Sequence, residues 1–303
     1  MDAGFISHAE YTYIQDGLAA GIREDGRGPR DYRDYLLSLD VISHSSGSAR
    51  CRIGFGTDIL VGVKAEVNSI DPSEPSHQGR IQCNVECSPN ASQNLAGRAI
   101  DDLNNELTRF LTRALNCYGG IDLGKLCIIP KQSCWVLYID ALVLDYDGNL
   151  YDALMMATVA ALYNARIPQV EIEATGDDGE MDFDVIDDAE AALPVPGRER
   201  LPLAITLNWA KGAYIADASM TEEYCVDSRL TVLVNPQGKI CAAQKSALGT
   251  IPESVMPELL TSATQIAAEM HKDLTKRIET EVKTLESTKH QGHVSTFLSN
   301  TFL

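Results

Sequence analysis

Positive charge is what this chain has least of. Its 25 Lys and Arg stand against 43 Asp and Glu, a net charge of −18 over 303 residues. A protein that holds phosphate backbones unaided needs a concentrated basic surface, because counterion release supplies most of the affinity. The composition therefore excludes a free-standing nucleic-acid binder. No apolar run approaches the roughly eighteen residues of a membrane span. No basic stretch followed by an apolar core and a small-residue cleavage site opens the chain. An intracellular protein without a membrane segment is expected. The eight cysteines, at 51, 83, 87, 117, 127, 134, 225 and 241, are too scattered for the disulfide framework of a small secreted domain. They read as reduced thiols. Cys83 and Cys87 lie four apart on a predicted strand and share a face, but no second Cys or His pair with zinc spacing accompanies them. No metal and no cofactor is expected. His290 and His293 belong to a Ser/Thr-rich tail.

What is present is apolar patterning. With 45% hydrophobic residues, the chain can bury a substantial core, and its length suits two domains. Ser7 and Glu10 have capping-box spacing ahead of the stripe Tyr11, Ile14, Leu18 and Ile22, which predicts a helix from His8 to Arg23. A charged turn follows, with Arg23, Asp25, Arg27, Arg30, Asp31, Arg33 and Asp34 alternating in sign around Gly26 and Gly28-Pro29. It reads as solvated, since exposed pairs are common and weak. Ser48–Ile53 and Ile59–Val67 predict a hairpin. After a polar loop, Asn68–Gly79, come a strand near Ile81–Glu86 and a helix over Leu95–Asn116. Arg98, Arg109 and Arg113 lie on that helix's polar face. Strands over Leu126–Ile129 and Trp135–Leu144 lead through Asp147-Gly148-Asn149 into a buried helix, Leu150–Asn164, whose methionines fill core. The segment from Glu171 to Glu190 holds ten carboxylates and no Lys or Arg. Repulsion of that density predicts an exposed, irregular loop between domains. The second half repeats strands before a helix: Leu203–Trp209, Ala213–Ala216, Leu230–Asn235 and Lys239–Ala243, then a helix over Pro252–Leu285. Strands grouped before helices indicate an α+β fold rather than a doubly wound sheet.

Several segments carry a resemblance. Gly21–Val67, with GIREDGRGPRDYR and GSARCRIGFGTDILVGVKAEV, resembles the opening of the RNase PH fold family, and within it the ring subunits of the RNA exosome. GRIQCNVECSPNA from Gly79, CWVLYIDALVLDYDGNLYDA from Cys134, RIPQVEIE from Arg166, and LPLAITL with IADASMTEE from Leu201 follow in order. The resemblance implies an RNase PH fold of two α+β domains with mixed sheets. On that reading residues 1–30 are an N-terminal helix and charged turn, 31–170 the first domain, 171–198 an acidic insertion, 199–288 the second domain, and 289–303 a tail. It also implies a hexameric ring of three heterodimers, crowned by S1/KH-type cap subunits and served by associated hydrolytic exoribonucleases. RNA passes through its channel, in nucleus, nucleolus and cytoplasm.

Active relatives cleave RNA from its 3′ end with phosphate as nucleophile, which requires a cationic cradle and a carboxylate for metal or proton work. The family's cradle is a Gly-Thr-Arg triplet opening a helix, where amide donors and the helix dipole add to the arginine. Here the Thr and Arg positions are Leu150 and Tyr151, and neither replaces a guanidinium. The family's aspartates, six residues apart, match Val195 and Leu201, with Glu199 the nearby carboxylate. The resemblance therefore implies a non-catalytic ring member, with Lys64, Arg80, Arg98 and Arg113 as candidates along the RNA path. The alternative is an active phosphorolytic exoribonuclease using displaced carboxylates such as Asp145, Asp147 and Asp152.

Overall fold

A computed structural model describes residues 6–70, 77–89, 91, 98–116, 120–175, 180–186, 188, 191–247 and 249–290. The middle of the predicted Asn68–Gly79 loop, the first residues of the predicted Leu95–Asn116 helix, and His293 with most of the tail lie outside the described residues. Helix α1 (His8–Ala19) opens on the predicted capping box: Ser7 accepts from the Glu10 N–H and Glu10 from the Ser7 N–H. It stops short of Arg23 because Gly21, at φ +72°, turns the chain left-handed while the Ile22 N–H bonds back to the Gly17 carbonyl. Ile14 and Leu18 are buried, but Ile22, beyond the stop, is 67% exposed.

The first sheet begins with an antiparallel meander, β1 (Tyr35–Leu39), β2 (Gly47–Ile53) and β3 (Thr57–Ser69). Strand β4 (Arg80–Cys87), helix α2 (Arg98–Leu115), β5 (Cys127–Ile129), β6 (Ser133–Asp145) and helix α3 (Leu150–Asn164) follow. The order is β1-β2-β3-β6-β4, with β5 on β6. Strands β4 and β6 are parallel, which demands a crossover, and α2 lies in it. That helix also covers the free edge of β4: the Val85 and Cys87 N–H groups donate to Thr108 Oγ1 (3.0 Å) and Asn104 Oδ1 (2.9 Å). The short β7 (Arg166–Ile167) pairs with β10 (Leu193–Pro194), flanking a ribbon of β8 (Val170–Thr175) and β9 (Glu180–Val185). The second sheet, β12-β11-β13-β14, is antiparallel throughout and is built from β11 (Leu203–Ala210), β12 (Ala213–Ala216), β13 (Ser228–Val234) and β14 (Ile240–Ser246). Helix α4 (Met220–Cys225) sits between β12 and β13, and α5 (Met256–His290) closes the described chain. No described helix is long and apolar enough to cross a membrane.

Helix α3, apolar apart from Asp152 and Thr158 over this span, is buried from Leu150 to Leu162, between the first sheet, β11 and α5. One core therefore contains residues of both halves, among them Ile59, Val61, Leu154, Leu203, Leu233 and Ile278. A smaller core joins α5 to the second sheet through Val232, Leu259 and Ile266. The chain is α+β, as the grouping of strands and helices implied.

Two readings of charge are corrected. The acidic stretch is not an irregular loop: β8 and β9 pair in register from Val170↔Val185 to Thr175↔Glu180. Residues 176–179, 187, 189 and 190 lie outside the described residues. Alternation explains the ribbon, because Ile172 lies opposite Phe183 on one face while Glu171 lies opposite Asp184 on the other. Val170 and Phe183 pack against the main core, which offsets the like-charge pair. The charged turn, in turn, is not simply solvated. Arg23 is 4% exposed and donates to both Glu222 carboxylate oxygens and to the carbonyls of Ala216 and Asp217. Arg33 grips both oxygens of Asp217 (Nε–Oδ2 2.9 Å, Nη2–Oδ1 2.8 Å), and Arg27 Nη1 donates to Oδ2 at 2.8 Å. Burial alone would raise the Asp217 pKa, but Arg33 and Asn149 hold it below the usual carboxylate range.

Asp217→Ala should lower the unfolding free energy by about 3–5 kcal/mol, since it strands two arginines in a dry site. Glu199→Ala, at an exposed position, should change it by no more than about 0.5 kcal/mol. Urea denaturation measures both. A depressed carboxylate contributes stability above its unfolded pKa of about 3.9 and loses it as pH falls through the folded value, so the two proteins should converge in acid.

Candidate functional site

The turn into α3 contains two successive left-handed residues, Gly148 at φ +83° and Asn149 at φ +59°. A Cβ at position 148 would stand 2.3 Å from the Ala218 carbonyl oxygen, so glycine is needed there. The turn aims the Asn149 N–H out of the amino end of a 15-residue helix, where amide donors and the helix dipole favour an anion. The chain supplies that anion itself. Glu223 Oε1 accepts from the Asn149 N–H at 2.8 Å, while its Oε2 accepts from the Tyr146 hydroxyl and from Arg229 Nη2 at 3.0 Å. The Glu223 side chain is 6% exposed. Burial works against the Arg229 charge, but Glu223 more than restores it and holds the guanidinium pKa up. Burial and the same carboxylate hold the Tyr146 phenol neutral, as a donor.

Leu150 and Tyr151 face the core, 5% and 6% exposed. The Tyr151 ring stands edge-on to Phe110, with centroids 4.7 Å apart, and its hydroxyl donates to Glu106. Burial, then Glu106, pushes the phenol pKa up. Val195 and Leu201 are also core residues, each 1% exposed. They belong to the other end of α3, where Arg198 donates to the Tyr163 carbonyl and stacks 4.3 Å from that ring. At about 1.5 Å per residue, Tyr163 lies roughly 18 Å from Tyr151. The residues that reach the turn are instead Glu223 and Arg229, on α4 and β13. Sequence reasoning missed them, although Ser219 and Glu222 have the capping-box spacing that starts α4.

The displaced carboxylates do not converge. Asp145 is exposed, and Asp147 faces Arg33 at 3.3 Å. Asp152 is 1% exposed and ties α3 to β11, accepting from Thr206 Oγ1 (2.7 Å), the Thr206 N–H (3.1 Å) and Tyr32 Oη (2.7 Å). Burial outweighs these donors and pushes its pKa up to about 7. The basic candidates are likewise spread out. Lys64 pairs with Glu66 at 2.5 Å, and Arg80 donates to the Ser69 carbonyl at 3.3 Å. Both lie on the outward face of the first sheet. Arg98 and Arg113 are exposed at opposite ends of α2, about 22 Å apart along its axis. Arg113 bonds to Gln244, and Arg109 is exposed on the same helix. No group of acidic, Cys and His side chains suited to a metal occurs among the described residues. Burial pushes the Cys83 and Cys87 thiols up to about 11.

The 3′ exoribonuclease family model for domain 1 matches residues 31–168, and that for domain 2 matches residues 201–266. The exosome complex component Rrp42 of Methanopyrus kandleri is 33% identical over 272 residues, covering 90% of this chain and 98% of the relative. An RRP42 protein of the Dictyostelium discoideum exosome, provisionally named an exonuclease, is 32% identical over 304 residues, with 85% and 93% covered. Among solved structures, a chain of the Archaeoglobus fulgidus exosome with RNA bound to the active site superposes with a TM-score of 0.74 at 30% identity. That match covers 88% of this chain and 97% of the other.

Asp152 gives the pH prediction. A carboxyl whose folded pKa is raised stabilises most below its unfolded pKa and loses that contribution as pH rises through the folded value. Stability should therefore fall between about pH 4 and pH 7, and Asp152→Asn should flatten the fall in a pH series of urea midpoints.

Proposed function

The chain belongs to the 3′ exoribonuclease (RNase PH) family as an exosome subunit of the Rrp42 type, and on that premise we propose that it is a non-catalytic member of the eukaryotic core ring. It supports 3′-to-5′ RNA processing and decay, ribosomal RNA and messenger RNA included, by completing the ring and guiding RNA to associated nucleases. The observation that carries this reading is the Glu223 carboxylate on the Asn149 amide. A phosphate approaching the helix would meet a negative charge already in place, and a buried phenol where the cradle needs a guanidinium. Glu223 and Arg229 are six residues apart, the spacing of the family's carboxylate pair. We place the degenerate pair there, rather than at Val195 and Leu201, because Glu223 bonds to the turn and to Arg229, whereas Val195 and Leu201 are buried in the core. The second acid is then a cation that neutralises the first. Glu223 is thereby occupied, rather than left to hold a metal or protonate a leaving oxygen.

The other parts of the proposal rest on the family. The partners are RNase PH-like ring subunits in three heterodimers, S1/KH-type caps and hydrolytic exoribonucleases, acting in nucleus, nucleolus and cytoplasm. Lys64, Arg80, Arg98 and Arg113 touch the passing RNA one or two at a time, which suits a guide better than a tight binding site. The active-enzyme alternative is disfavoured by the burial of Asp152 against β11.

A reconstituted ring incubated with RNA, phosphate and Mg²⁺ tests the reading. Rings containing the natural chain, Tyr151→Ala or Glu223→Gln should release nucleoside diphosphates at equal rates. A rate that falls with either substitution, in rings of unchanged composition by native mass spectrometry, would overturn it. Omitting the chain should leave the ring incomplete.

A further inference from the structure

The outward face of the first sheet holds a groove of about 580 Å³ that the ring reading touches only at its Lys64 end. Its floor is two register rows across β3, β6 and β4, Gly62–Asp140–Asn84 and Leu60–Leu142–Glu86, with Lys64 of β3 at one end. The connection between β1 and β2 forms one wall with Ile42 and His44. Gly62 leaves its row hollow, and a Cβ there would stand 3.2 Å from Ile42 Cδ1. Leu142, 36% exposed, faces outward on that floor beside two acids, Asp140 and Glu86, in adjacent rows. Burial and then the nearby Glu86 hold the Asp140 carboxyl above its ordinary range. The groove's lysine does not relieve them, because Lys64 is bound to Glu66.

The dimensions and charge specify an occupant. Five residues of β3, Leu60 to Lys64, make the groove about 13 Å long, and two interstrand spacings make it about 10 Å wide, room for about four extended residues. Apolar contacts come from Ile42, Leu60 and Leu142. Glu86 accepts from Asn84 Nδ2 at 3.2 Å, but no Lys or Arg among the described residues pairs with Glu86 or Asp140, so the two acids call for a cation between them and would repel the phosphates of RNA. We propose that this groove docks an extended segment of a protein partner that carries a lysine or arginine between apolar side chains. The proposal goes beyond ring membership and does not depend on which protein provides the segment.

Photo-crosslinking tests it. The full chain with Leu142→p-benzoylphenylalanine is purified from its own cells with whatever remains bound, irradiated, and the captured peptides are sequenced by mass spectrometry. The expected product is one protein segment with Lys or Arg within a few residues of the link. Its yield should fall about tenfold when Asp140→Lys and Glu86→Lys are added, from like-charge repulsion, and less for Asp140→Asn with Glu86→Gln, which keep the shape. Capture of RNA alone, capture of segments without basic residues, absence of any link, or a yield insensitive to charge reversal would each overturn it. The readout is the chemistry of the captured segment, so it stands or falls separately from nuclease assays on the ring.

Discussion

Asp217 is the group on which the arrangement of this molecule depends. Its wholly buried carboxylate is shared by Arg27 and Arg33 of the charged turn and by the Asn149 side chain ahead of α3. The turn, the start of the central helix and the β12–α4 connection are thereby held in one relation. A buried carboxylate tolerates no loose partner, because every unsatisfied oxygen would bear the full desolvation cost. The charged turn and the start of α3 lie 190 and 68 residues from Asp217 in the chain, yet both supply donors to its two oxygens. Arg23 and Glu222 repeat the device one helical turn along α4. Specificity of arrangement, more than net stability, is what such a network confers.

The consequence for chemistry follows from the geometry of α4. Once Asp217 fixes the connection, Glu222 and Glu223 fall on opposite tasks: one holds Arg23, the other closes the amino end of α3. An amide at a helix terminus binds anions whatever their source, and a tethered carboxylate outcompetes a dissolved one through its effective concentration. The amide at that helix end is thus satisfied from within the chain.

Much of the architecture was legible because it is periodic. The apolar run after Asp147-Gly148-Asn149 gives α3 its bounds, Leu150–Asn164, and the alternation around Gly54 gives β2 and β3. The resemblance identified the family. What could not be read was which distant residue completes a local charge. Arg23, Arg27 and Arg33 look like a solvated alternation until Asp217 and Glu222 arrive from nearly 200 residues away. For the same reason Glu223 and Arg229, which meet at the turn before α3, have no local mark in the sequence. In 171–190 the count of carboxylates hid a two-residue alternation that the core rewards through Val170 and Phe183.

That ribbon has a further consequence. A two-stranded sheet offers free backbone edges on both sides, the usual starting point for aggregation between identical chains. Here Glu171 and Asp184 stand side by side across the strands, with Asp182 on the same face, so any second copy that tried to add a strand would bring its own carboxylates against them. The crowding of like charge, a cost within one molecule, keeps the edges of separate molecules apart.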